Sequence, residues 1–322
     1  MSPSTRGARC LALAAALLAA FLLLLLFARQ QRPPRLYRLG LVAPFEGLYR
    51  DTGYAALAAA RVRAQEWNRD FARYGFYVQV WAVDDSNDPA LAILRAQELA
   101  DDPLVLAVVG HLTPETSAAT TGIYREAGLL QISPVPSADH GEGGGAGLTL
   151  SPEPAPDALF AAVSSAVSMS AWLVLPPGRL WQPPVGACVY TSLADAAGAD
   201  TIYLNAPLLA MTRELVEGGP TAKRLVFPYG YCPRALQLMF PKVSFWAFTN
   251  DQSSDGKVDT ITASAADLAL QAILRAAESG HLSRPSVSQQ ARAFVTEQGW
   301  QQYQGDWYPP DEQVVLISCL AK

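Results

Sequence analysis

The chain has 322 residues, 50% of them apolar and 16% charged, with 24 Lys and Arg against 29 Asp and Glu for a formal charge of −5. That length makes one large or two medium domains, and 24 prolines with 23 glycines are ordinary usage, which excludes low-complexity and collagen-like chains. The acidic balance leaves no electrostatic footprint for nucleic acid, so no nucleic-acid partner is expected.

Residues 10–28 carry no charge and are almost wholly Leu, Ala and Phe. As a helix rising about 1.5 Å per residue, the run nearly matches a hydrocarbon core of about 30 Å, so a membrane-spanning helix is expected. Arg6 and Arg9 precede it as a basic n-region would, and no A-x-A pattern follows Phe27. The run therefore reads as an uncleaved signal-anchor behind a cytoplasmic segment, 1–9. Cys10 is not read as a lipid attachment site, because no apolar stretch comes before it. Arg29, Arg32, Arg35 and Arg38 follow the helix, so the positive-inside count does not set its orientation. A linker at 29–35 contains Pro33-Pro34, a short stiff spacer that would stand a soluble domain off the bilayer.

From residue 36 onward short apolar runs alternate with helix-period segments, the pattern of βα units around a parallel sheet, and the fold class is α/β. Strands are predicted at 39–43, 77–83, 104–110 and 129–133, and helices at 54–68, 90–100 and 117–127. Asp84-Asp85-Ser86-Asn87-Asp88-Pro89 ends the second strand with turn and cap residues placed for the next helix. The 104–110 run is wholly apolar, as a central parallel strand buried on both faces would be. Open α/β sheets bind ligands at the carboxyl ends of their strands. Candidate site residues therefore concentrate in the loops after these strands, around Glu46, around Thr113 and at Pro134-Val135-Pro136-Ser137.

The glycine-rich stretch 141–147 marks a boundary; it lacks the Lys-Ser/Thr of a phosphate-binding P-loop, and a flexible linker fits it better. Beyond it, 157–169 is helix-like, 172–175 is apolar, and Pro176, Pro177, Pro183 and Pro184 interrupt the pattern. Strand-like runs at 201–204 and 225–227 flank a helix near 208–217, so a second, smaller α/β lobe is expected. Residues 260–279 have the longest helical periodicity and meet a stop at Gly280, and 314–317 closes the chain as a strand. Asp251, Ser253, Asp255 and Gly256 imitate the front of a calcium loop, but Thr262 stands where a bidentate Glu is needed, which leaves an exposed turn. Cys188, Cys232 and Cys319 form an odd set without C-x-x-C spacing, which leaves one bridge open. His111, His140 and His281 are too scattered for a metal site. No metal or cofactor is expected, and with no nucleophile beside a base and no paired carboxylates, neither is a catalytic residue.

Four motifs occur in order over about 100 residues: Gly40-Leu41-Val42-Ala43-Pro44, the Asp84 to Pro89 turn, Val108-Val109-Gly110-His111-Leu112, and Ile123-Tyr124-Arg125-Glu126-Ala127-Gly128 running into Ile132-Ser133-Pro134. Together they resemble the first lobe of the type 1 periplasmic substrate-binding proteins, in the leucine/isoleucine/valine-binding branch that serves amino-acid ABC importers. A weaker resemblance covers 201–228 and 260–280. It implies a two-lobed type 1 periplasmic binding protein fold, two parallel-sheet α/β lobes with a hinge, three crossovers and a ligand in the cleft. Lobe 1 would comprise 36–138 and 248–300, and lobe 2 would comprise 139–247 and 301–322, shortened by about one βα unit between 175 and 185. The family's export habit places the soluble part on the extracytoplasmic side of a single-pass anchor.

The resemblance also implies a small hydroxyl residue shortly after the Gly-His-Leu turn to hold a ligand carboxylate. That position falls on Pro114, which has neither an N–H nor a hydroxyl. Thr113, Thr116 and Ser137 still offer hydroxyls. The family's lobe-2 carboxylate would fall near Pro228-Tyr229-Gly230-Tyr231, where none stands. Glu46 could serve the ligand ammonium, or be a solvated loop residue. Tyr49, Tyr54, Tyr229, Tyr231 and Trp246 could wall an apolar ligand, or pack in the core. His111 matches a structural turn residue and reads as a hydrogen-bonded turn rather than a catalyst. The ligand-facing set is then Glu46, Tyr49, Thr113, Thr116, Val135, Ser137 and Tyr229. The function expected is a membrane-tethered, non-catalytic module that binds a small polar or amino-acid-like ligand, with an ABC permease or receptor as protein partner. The alternative is a sensory or protein-interaction module that kept the fold and lost the cleft.

Overall fold

The computed structural model describes residues 15–24, 33–134, 148–150, 171–174, 188–205, 215–227, 234–249, 258–303, 306–309 and 315–318. Strand β1, Arg35–Ala43, runs from exposed to fully buried along its length, and β2, Phe76–Asp84, alternates buried and more exposed residues over its first half. Strand β3, Val105–Val109, is buried at every residue, as its unbroken apolar sequence predicts, and β4, Leu130–Ile132, is buried throughout. With β5, Leu148–Leu150, and the pair β11, Gln301–Tyr303, and β12, Asp306–Tyr308, they form one sheet in the order β11-β12-β5-β4-β3-β1-β2. A second sheet takes β6, Ala171–Val174; β7, Val189–Tyr190; β8, Thr201–Asn205; β9, Arg224–Phe227; β10, Ser244–Thr249; and β13, Val315–Ser318, in the order β13-β10-β9-β8-β6-β7. Pairing within the second sheet is parallel except for β13, which runs antiparallel to β10.

Helix starts follow their caps. Helix α1, Arg50–Phe71, leaves a short 3-10 turn at Gly47–Tyr49. Helix α2, Pro89–Asp101, begins where the Asp88 carboxylate accepts the Ala90 N–H at 2.8 Å, and α3, Pro114–Glu126, begins at Thr113. Helix α4, Arg234–Met239, precedes β10 in the second sheet. Helices α5, Val258–Glu278, and α6, Arg284–Glu297, return to the first sheet. Buried alanines let α1 and α5 approach closely: Ala60 and Ala64 share one core with Ala265, Ala266, Ala269, Ala272 and Ala276. The Trp67 indole N–H donates to Asp267 at 2.9 Å across that contact, and Arg63 pairs with the same carboxylate at 3.2 Å.

The sheets move the expected lobe boundaries. β5 joins the first sheet by pairing with β4, so the chain leaves lobe 1 after residue 150 rather than at 138. β10 pairs with β9 and β13 through Thr249, so the return lies past 249 rather than at 248. Residues 301–308 form the β11–β12 pair beside β5 in the first sheet, not in lobe 2. The reason is edge pairing: β5 adds to the open side of β4, and the later β12, with β11 beyond it, adds to the open side of β5. Residues 15–24 are helical, and among the described residues no helix is long and apolar enough to cross a membrane. The rest of the expected span, the glycine-rich stretch, the 157–169 helix, the shortened 175–185 segment and the calcium-like turn lie outside the described residues.

Arg284 ties α6 to the far end of the sheet. Its guanidinium donates to the carbonyls of Val105 at 2.8 Å, Ala100 at 2.7 Å and Leu99 at 3.3 Å, and to that of Asp102. These are the last carbonyls of α2 and the first of β3, which have no helical donor of their own. Arg284→Ala should therefore cost about 2 kcal/mol or more, read as a lowered midpoint in urea denaturation, whereas Arg61→Ala on the exposed side of α1 should cost under about 0.5 kcal/mol.

Candidate functional site

Strand β1 pairs in parallel with β2 on one side and β3 on the other. The chain therefore leaves β1 toward one edge and returns to build toward the opposite edge. That reversal is a topological switch point, and in open α/β sheets the loops leaving the carboxyl ends of two such strands part on either side of a crevice. The candidate site is built on these two loops.

The β1 loop is held from three sides. The Phe45 N–H donates to Asp84 Oδ1 at 2.6 Å, and Ser86 adds its hydroxyl at 2.7 Å and its N–H at 3.1 Å to the same carboxylate. Burial alone would raise the Asp84 pKa, but the Ser86 and Phe45 bonds and the Arg95 charge outweigh it and hold the carboxyl below its ordinary value. Gly53 lets α1 press on the loop: a Cβ there would stand 1.9 Å from the Pro44 carbonyl oxygen. The result carries Tyr49 inward, 5% exposed, with its hydroxyl shut from solvent and without a hydrogen-bond partner among the described residues. Burial first, and then the nearby Glu115 carboxylate, push that hydroxyl far above its ordinary range, so it stays protonated.

The β3 loop is fixed by a buried relay. Asp85, His111 and Tyr124 are each fully buried. His111 Nδ1 lies 2.7 Å from Asp85 Oδ2 and its Nε2 lies 3.1 Å from the Tyr124 hydroxyl, while Asp85 Oδ1 accepts the Asn87 N–H at 3.0 Å. With Asp85 ionised, Nδ1–H donates to it and Nε2 accepts the Tyr124 proton, so one neutral tautomer satisfies the chain. Burial and the Asp85 charge raise the Tyr124 pKa well above its ordinary value, which keeps it a donor. Gly110, at φ +124°, packs against Val42, whose carbonyl oxygen would sit 2.4 Å from a Cβ. A second buried set closes the far side: Gln131 Nε2 donates to the Gly110 carbonyl at 3.1 Å, Thr121 donates to Gln131 Oε1 at 2.8 Å, and Ser117 and Ser133 hydroxyls meet at 3.0 Å. Both ring nitrogens of His111 are engaged and its ring has no exposed surface, so the geometry is that of a locked turn.

The predicted residues divide accordingly. Thr113 and Thr116 come together, hydroxyl to hydroxyl at 2.7 Å, but both are fully buried. Their hydroxyls are committed to the α3 cap: Thr113 accepts the Thr116 N–H at 3.4 Å, and the Thr116 hydroxyl donates to the Thr113 carbonyl at 3.1 Å. They shape the crevice rather than reach into it. Glu46 is exposed and caps nothing. Tyr54 is exposed and meets Phe45 edge-on, and Trp246 is partly buried under Arg224, 5.3 Å from its ring centre. Val135, Ser137, Tyr229 and Tyr231 lie outside the described residues, as do Cys232 and Cys319; Cys188 is exposed. The residue missed in the sequence is Glu115, whose two carboxylate oxygens are shut from solvent in the first turn of α3. Its signal was present: an acidic second residue behind a Thr-Pro start sits at the positive end of the helix.

Two α/β sheets of this strand order, with β13 returning antiparallel to the second, are the fold of a type 1 periplasmic binding protein. Over residues 37–175 the sequence also matches the family described as periplasmic binding protein, in keeping with its resemblance to the leucine-binding branch. An amino acid binding protein of Pseudomonas aeruginosa is 27% identical over 96 residues, which is 30% of this chain and 26% of that one. Thus the alignment spans about a quarter of the length of that curated relative. An ABC transporter substrate-binding protein of Desulfitobacterium hafniense, solved in complex with Leu, superposes with a TM-score of 0.58 at 18% identity over 88% of this chain and 97% of that one. A fatty acid ABC transporter substrate-binding protein of Thermomonospora curvata superposes at 0.64 with 13% identity over 88% of each.

Two substitutions test the scaffold of the site. His111→Phe takes the ring donor from the fully buried Asp85 carboxylate and should cost about 3 kcal/mol in urea denaturation, against about 1 kcal/mol for Tyr124→Phe, which removes a single donor. Asp84 has a lowered folded pKa, so its contribution is full above the unfolded value of about 3.9 and is lost as pH falls through the folded value. Asp84→Asn should thus destabilise near pH 7, and the gap to the native chain should close as the pH falls below the unfolded value and through the lowered folded one.

Proposed function

We propose that this chain is a membrane-tethered, non-catalytic binding module that holds a small amino-acid-like ligand at the β1/β3 crevice. The observation that carries the reading is Tyr49: a hydroxyl shut from solvent, without a partner among the described residues, delivered by a braced loop to the switch point of the sheet. The amino-acid-binding relative and the Leu-bound neighbour support the ligand class, and the fatty acid transporter neighbour widens it to apolar acids on the same fold. The periplasmic binding family match supports a non-catalytic role, and the ABC transporter substrate-binding neighbours support an ABC permease or receptor as partner. The uncharged run 10–28 supports a tether with the binding part on the extracytoplasmic side. Of the candidate residues, Tyr49 and Glu46 would meet ligand with Val135, Ser137 and Tyr229, and Thr113 and Thr116 would hold the first turn of α3.

The closed hydroxyls of Thr113 and Thr116 favour the second reading, a fold kept for protein contacts. A thermal-shift screen of the full chain in detergent micelles, against amino acids, amides, peptides, fatty acids and sugars, separates the two. A ligand at 100 times its dissociation constant should add about 2.7 kcal/mol. A folded chain that answers to none of them, yet co-purifies with a permease or receptor, would overturn the ligand reading.

A further inference from the structure

The first sheet ends on one side at β2, which pairs only with β1 among the described residues. The other sheet edges are short: β11 has three residues, β13 four and β7 two. Strand β2 has nine, in unbroken register with β1, and Phe76 to Val83 carry no charge and no proline. Such an edge is a template for a further strand unless something blocks it, and neither lysine, proline nor a bulge does so here. The block comes from α1. Asn68 accepts the Val78 N–H at 2.7 Å and donates its amide N–H to the Val78 carbonyl at 2.9 Å. We propose that Asn68 closes the β2 edge to a second copy of this chain, and that without it two copies pair through β2.

The geometry of a parallel pair makes one side chain effective. Each strand residue turns its N–H and C=O to the same side, and the side alternates along the strand. The Asn68 bonds put the Val78 groups on the side away from β1, so those of Val80 and Ala82 face the same way. A carboxamide carries the donor and the acceptor of a peptide group, so Asn68 stands in for one residue of a missing neighbour strand. Further along, Arg95 Nε donates to the Asp84 carbonyl at 3.1 Å, which takes an outward group at the other end. An incoming strand is left with Val80 and Ala82, against the roughly five or six residues of an ordinary strand. Asn68 is held in place by its neighbours on α1. The Trp67 indole N–H bonds to Asp267 of α5 at 2.9 Å, and the fully buried Phe71 stacks on Phe76 of β2 with ring centres 5.0 Å apart. A second copy is the occupant because the strand is its own complement. Two β2 strands related by a two-fold axis would run antiparallel, with aromatic and β-branched residues opposed and no like charges meeting between Phe76 and Val83.

Sedimentation and amide hydrogen exchange on the full chain in detergent micelles test it. In the native chain the Val78 amide should be protected beyond those of Val80 and Ala82, and none of the three should change with concentration. Asn68→Ala should associate while keeping a cooperative unfolding transition, and over an about tenfold rise in concentration its Val80 and Ala82 amides should slow by about fivefold or more. Asn68→Gln, whose amide is displaced by a methylene, should do the same more weakly. Asn68→Asp keeps an acceptor for the Val78 N–H and adds a charge to the edge, so it should not associate. Arg284→Ala lowers stability elsewhere and should not associate either, which separates an opened edge from general loosening. The proposal falls if Asn68→Ala does not associate, if Arg284→Ala associates as readily, or if association leaves Val80 and Ala82 unprotected. It falls too if the native Val78 amide exchanges as fast as that of Val80, or if Asn68→Ala and Asn68→Gln both unfold rather than associate, which would make Asn68 a requirement of the fold alone.

Discussion

Placing β1 between β2 and β3 dictates where the chain's loops can meet, and most of what is built around the crevice serves that arrangement. The reversal at β1 leaves two loops side by side with no helix between them, so each needs its own anchor. Asp84 anchors the first by gathering Phe45 and Ser86, and the Asp85–His111–Tyr124 relay anchors the second from beneath. Adjacent residues at the end of one strand thus hold the two walls of a single opening. Their chemistry differs because their burial does. Asp84, partly exposed, works through several bonds to one charged group, whereas Asp85, fully buried, requires a ring that is engaged on both sides.

Much of the first sheet is legible in the amino acids. The uninterrupted run at β3, the cap residues before α2 and the motif order from Gly40 to Pro134 each have a single local meaning, and tertiary packing agrees with it. Of the strands not predicted, two are short and polar. β11 and β12 read Gln-Gln-Tyr and Asp-Trp-Tyr, with neither alternation nor an apolar run, and they are strands because the β4 and β5 edge supplies partners. Lobe boundaries shift for the same reason. Edge pairing is a property of the assembled sheet, and no window of residues contains it.

The candidate site divides along similar lines. Tyr49 is legible as an aromatic in a strand-end loop, and Thr113 and Thr116 are legible as hydroxyls near a helix start. What the residue types alone do not determine is direction. A threonine before Pro can cap the helix or offer its hydroxyl outward, and the capping geometry at Thr113 decides for the first. Once those hydroxyls face inward, the first turn of α3 keeps neither of them to offer outward.

The alanine-lined contact between α1 and α5 has a consequence for how the chain is made. Part of the surface that buries α1 arrives with Ala265 to Ala276, far along the chain from the helix itself, and Val287, Ala291 and Val295 of α6 complete the same core. During synthesis the first sheet therefore waits for part of its cover while most of the second lobe is delivered between its halves. The second lobe, apart from β13, is then an insertion that can fold while its host is still incomplete, and a chain cut short before α5 would leave Ala60 and Ala64 of α1 without the alanines they pack with.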